Sequence, residues 1–262
     1  MPYKVNKKFE PQFNLLLIAT VVSVLIWVAS WYLPILGYIV YPLQLFATFV
    51  HEGSHVLATL ITGNTVQSLT VSSDGSGAVW SQSAGWFSQL LISSAGYLGT
   101  TAFGTLLLAW IRAGWSSKAA LMASAGFVGL MTVAFGLFAP VFNLFSTVTF
   151  GSVFFTVFSG AVLTGGLALI GYFANARWAN FALAFLAVQC LLNAVFSLVD
   201  LLLITTTVGG HSDAVNMSAA TGIPSIVWVL TWFVISIFMI SVGLRLYAMR
   251  KGAKASESLF DD

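Results

Sequence analysis

Two of the chain's three histidines fall in the run His51-Glu52-Gly53-Ser54-His55, and that spacing defines the chemistry on offer. On an α-helix, residues four apart lie about 40° from each other on one face, so both imidazoles can reach one metal ion. Glu52 is about 100° around from His51, where a carboxylate flanks the ion as a base for water rather than holding it. A catalytic zinc takes three protein ligands and keeps one position open. The histidines therefore need a partner, and the candidates are Asp200 in SLVDLLL, Asp213 and His211 in HSDA, Asp74 and Cys190. Asp200 is preferred, because it is expected at the depth of the histidines on a helix running the same way. A carboxylate inside a membrane helix also costs about 2.5–3.5 kcal/mol unless something offsets it. Asp213 and His211 otherwise read as loop residues, Asp74 as a turn residue, and Cys190 as buried packing. Asn193 precedes Asp200 by two helical turns and shares its face. Its amide can donate to a developing oxyanion or orient the carboxylate, or serve as an interhelical contact.

These residues need elements to position them, and the composition says which. The chain has 262 residues, 58% hydrophobic and 7% charged, against about 25% charged in a soluble domain. That excludes a water-soluble globule, and ten Lys and Arg against eight Asp and Glu provide no basic face for nucleic acid. A single cysteine excludes an internal disulfide framework. The expected class is an all-α polytopic membrane protein, since helices satisfy their own backbone groups in hydrocarbon. About 20 apolar residues per crossing predict about seven transmembrane helices. Their approximate bounds are Asn14–Tyr32, Leu36–Thr62, Trp86–Ile111, Ala119–Ala139, Asn143–Phe173, Trp178–Ile204 and Ile226–Met249. The first reads as a retained anchor rather than a cleaved signal, since it is long for the latter. Val66–Gln82 alternates around Asp74-Gly75, which predicts one short β-hairpin after the histidine helix. Thr205–Gly222 reads as a loop before Pro224 opens the last helix. One membrane-embedded domain spans residues 1–262, with polar tails at 1–13 and 251–262.

HEGSH in a membrane helix, SDGSG in the hairpin, SSAGYLG from Ser93 to Gly99, the acid of FSLVDLL, and HSDA followed by TGIP together resemble the M50 group. The resemblance is to its M50B-like branch of integral membrane metallopeptidases, related to site-2 proteases, and covers about Phe49 to Trp228. It implies zinc held by His51, His55 and Asp200, with Glu52 activating water. Site-2 proteases usually carry Asp-Gly at the aspartate, where this chain reads Asp200-Leu201.

The expected function is a zinc-dependent intramembrane endopeptidase, integral and multi-pass. Its partners are a membrane-protein substrate and the lipid bilayer, with no nucleic acid. A metal transporter or sensor, and an inactive scaffold that binds membrane helices, are the rivals. A transporter needs ligands strung along its helices, whereas the first, third, fourth, fifth and seventh expected crossings carry no His or acidic residue.

Overall fold

The computed structural model describes residues 10–30, 32–33, 35, 37–82, 85–207 and 212–248. His211, the tail 251–262 and residues 1–9 lie outside the described residues, and helix already begins at Glu10. The elements in order are α1 (Glu10–Ser30), α2 (Gly37–Ile61), β1 (Thr65–Val71), β2 (Gly77–Gln82), α3 (Trp86–Ala113) and α4 (Ser117–Met131). A π-helical segment (Thr132–Phe138) joins α4 to α5 (Ala139–Phe142), followed by α6 (Phe150–Phe173), α7 (Ala176–Thr207), α8 (Asp213–Thr221) and α9 (Ser225–Ala248).

Five helices among the described residues are long and apolar enough to cross a membrane: α3, the continuous Ser117–Phe142 stretch, α6, α7 and α9. They stand where the third to seventh crossings are expected. The expected count of seven is not confirmed among the described residues. In α1 the described apolar helix is Leu17–Ile26, and the 25 residues of α2 are interrupted by Gln44, Thr48, His51, Glu52 and His55. The fifth crossing starts at Phe150 rather than near Asn143. Leu144 and Phe145 take φ of 51° and 54°, so the backbone there turns. The Asn143 amide holds this turn by donating to Ala139 O at 2.8 Å and to Gln67 O of β1 at 3.1 Å. The expected Thr205–Gly222 loop contains the helix α8.

Helix α3 packs against α2, α7 and α9, and small residues permit the approach. A Cβ at Gly99 would strike the Ser54 hydroxyl of α2, and one at Gly104 would meet Leu191 and Cys190 of α7. Tyr97, Leu198, Leu201, Ala214, Met217, Val229 and Trp232 form one buried cluster, which ties α8 to α3, α7 and α9. The π-helical segment has a local cause. The Ala139 N–H reaches back five residues to Ala134 O, immediately before Pro140, which cannot donate and whose ring would clash with the carbonyl four residues back.

The hairpin pairs β1 and β2 antiparallel, Leu69 opposite Val79 and Val71 opposite Gly77. Its turn is closed by Ser72 N–H to Ser76 O at 2.8 Å, and Gly75 sits at φ 87°, a conformation that favours glycine. Asp74 Oδ1 accepts from the Ser76 N–H at 2.9 Å and its hydroxyl at 2.6 Å, and these bonds hold its carboxyl below the usual carboxylate range. Asp74 is thus a turn residue, as the sequence leads one to expect.

Candidate metal centre

One face of α2 builds two things in succession. Gln44, Thr48, His51 and His55 recur at helical spacing, and the first pair seats the hairpin. Thr48 Oγ1 donates to Gly75 O at 2.8 Å, Tyr41 Oη donates to Ser73 O at 2.8 Å, and Gly75 lies against the Gln44 side chain. The next turns carry the imidazoles. Their rings meet edge to face at 4.8 Å, and His55 Nδ1 lies 2.7 Å from Ile92 O of α3. Donation from Nδ1 to that carbonyl leaves Nε2 with the lone pair a metal needs.

The third group is Asp213. Its Oδ2 lies 3.5 Å from His51 Nε2 and 3.3 Å from His55 Nε2, and the ligand atoms of the three residues lie within 4.8 Å of one another. A tetrahedral ion with bonds of about 2.0–2.1 Å has ligand atoms about 3.3–3.4 Å apart along its edges. The two His–Asp distances match such an edge, so the residues present fit zinc. Gly96 of α3 forms the wall behind them, where a Cβ would collide with both Nε2 atoms. Burial by itself pushes the Asp213 carboxyl up, but the imidazoles, His55 foremost, outweigh it and hold the group well below the usual carboxylate range.

Local sequence explains how Asp213 arrives there. Ser212 caps α8, its Oγ accepting from the Val215 N–H at 3.3 Å, as N-cap serines do. Gly222 ends the helix at φ 73°, and Ala214 and Met217 bury the inner face. The cap and the glycine stop are sequence signals for a short helix, and the loop reading missed them. Asp200, the expected third ligand, is exposed and stands outside the group of ligand atoms. Asp200 lines the cavity beside the histidines, but α8 folds back and presents its own first residue to them.

Glu52 is 5% exposed and lies against the backbone of β2, where a Cβ on Gly77 would fall 2.5 Å from its Oε1. The Tyr97 ring meets His51 edge to face at 4.7 Å and stacks on Trp232 at 5.4 Å. Trp232 Nε1 donates to Ser94 Oγ at 3.0 Å, so α9 braces the ring that braces the ligand. Tyr97 was not singled out from the sequence, although it lies within SSAGYLG. A cavity of about 640 Å³ opens onto these groups, lined also by Gly77–Ser81 of β2 and by Asn193, Ser197 and Asp200 of α7. Asn193 Oδ1 accepts from Ser197 Oγ at 3.2 Å, which leaves its NH₂ as a donor for a group in the cavity. Cys190 is fully buried at the α3 contact, as packing predicts.

A family model described as Peptidase M50B-like matches residues 16–243 of the chain. No curated protein and no solved structure matches it.

Proposed function

The chain belongs to the M50B-like peptidases and is a multi-pass integral membrane protein, and from that premise we propose that it is a zinc-dependent intramembrane endopeptidase. The observation that carries the reading is the meeting, at one cavity, of the His51–His55–Asp213 group with Glu52 and a hairpin strand. Under this reading His51, His55 and Asp213 hold the ion, and Asp213 takes the place that the resemblance assigns to Asp200. Zinc, when bound there, would polarise water and the peptide carbonyl as a Lewis acid.

The remaining steps belong to the chain itself. Glu52 takes a proton from the attacking water and delivers it to the departing amine. Asn193 offers its amide N–H groups to the carbonyl oxygen as charge builds on it. A membrane-spanning substrate must be extended before its peptide bond is accessible, and Gly77–Ser81 of β2, which line the cavity, supply a strand edge for it to pair with. Gly77 lies directly against Glu52, so a segment paired there passes the base.

Glu52→Gln removes the base at constant size. It is expected to retain about one zinc per chain and to slow cleavage of a transmembrane substrate in reconstituted vesicles by about 10²- to 10⁴-fold. Asp213→Ala is expected to strip the metal, and Asp200→Ala to leave it in place. Retained cleavage in Glu52→Gln, or zinc lost from Asp200→Ala but not from Asp213→Ala, would overturn these roles.

A further inference from the structure

The mechanism leaves one carboxylate in the cavity without a task. Glu52, Asp74, Asp200 and Asp213 line the cavity, and among the described residues no Lys or Arg does. Three of these acids are accounted for: Asp213 by the imidazoles, Asp74 by Ser76, and Glu52 by its proposed role as the base. The Asp200 side chain makes no hydrogen bond or ion pair with any described residue and is exposed. It lines the same cavity as Tyr97, whose ring stands 4.7 Å from that of His51.

Its neighbours in α7 are apolar, Leu198 and Val199 before it and Leu201 to Leu203 after it. A carboxylate in such a helix costs about 2.5–3.5 kcal/mol, and within a membrane such residues face cavities and mark substrate paths. Gly77–Ser81 of β2 and Asp200 line the same cavity, so a peptide paired along β2 can present a side chain to Asp200. A complementary charge there fixes the register of a bound segment.

We propose that Asp200 determines specificity by pairing with a cationic Lys or Arg side chain of the substrate near the bond to be cut. The inference rests on the reading of the cavity as a peptide site and deepens it by naming a substrate class.

Binding separates this proposal from hydrolysis. On the zinc-loaded Glu52→Gln protein, a series of transmembrane peptides, each carrying one Lys at a successive position, is compared with its norleucine counterparts. One position is expected to bind about tenfold tighter as Lys, the scale of a well-placed charge pair. Adding Asp200→Asn should flatten that peak with zinc content unchanged, and Asp200→Glu should restore it. A flat scan, a peak that survives Asp200→Asn, or zinc lost with Asp200→Asn would overturn the assignment. If the peak behaves as expected while the unaltered protein cuts none of the peptides, the peptidase reading fails and the Asp200 assignment stands.

Discussion

The two edges of the hairpin are treated in opposite ways. The outer edge of β1 is occupied by the neighbouring helices. Thr156 Oγ1 of α6 accepts the Val71 N–H at 2.8 Å and lies 3.3 Å from Val71 O, Asn143 donates to Gln67 O, and Ser68 pairs with Thr147 at 3.2 Å. Strand β2 borders the cavity along Gly77–Ser81, with Trp80 51% exposed. An open strand edge is a template for another extended chain, so under the proposed function the covered edge anchors the hairpin and the edge along the cavity is the one offered to a substrate. The same division appears in the side chains. Hydroxyls and an amide hold β1, whereas glycine at position 77 brings β2 up to Glu52.

This contrast predicts that changes on the β2 side alter cleavage and changes on the β1 side alter stability. The largest effect is expected from Gly77→Ala. The new Cβ would displace the Glu52 carboxylate, and a shift of about 1 Å at a reacting group costs about 10²-fold. Cleavage should fall by about that factor in a reconstituted assay, with zinc content and thermal midpoint unchanged. Full activity in this variant would break the assignment of β2 to the reactive side.

Thr156→Val comes next. It keeps the shape but leaves the buried Val71 N–H without its acceptor, a loss of about 1–3 kcal/mol. Unfolding in detergent should register it, while the folded fraction cleaves at the normal rate. A loss of cleavage out of proportion to stability would show that the covered edge also takes part in the chemistry.

Asn143→Ala is the mildest. It removes the donor to Gln67 O from a part-buried site, which should cost about 0.5–1.5 kcal/mol. Hydrogen exchange should rise around Gln67 and not at Gly77. Equal rises on both strands would mean that the hairpin opens as one unit and that its edges are not held independently.

Much of this arrangement is legible in the chain. The pairing of His51 with His55 and the flanking place of Glu52 follow from helical pitch alone, and Asp74-Gly75 marks the turn through local bonding and a positive φ. The five described crossings follow from apolar length. Those properties are decided within a few residues, so the order of amino acids determines them.

The third partner of the histidines is a different kind of fact. Asp200 and Asp213 are both acids in the right part of the chain, and choosing between them requires knowing that α8 folds back onto Tyr97, Leu198 and Trp232. The seating of Gly75 on Thr48, the closing of the β1 edge by Thr156, and the bare Cα of Gly96 behind both imidazoles likewise depend on contacts between residues 27 to 85 positions apart or on different helices. Sequence pattern carries the periodicity of each element, which sets what one helix or strand can present. Only packing brings separate elements within the few ångströms over which a ligand set, a strand edge or a steric exclusion acts.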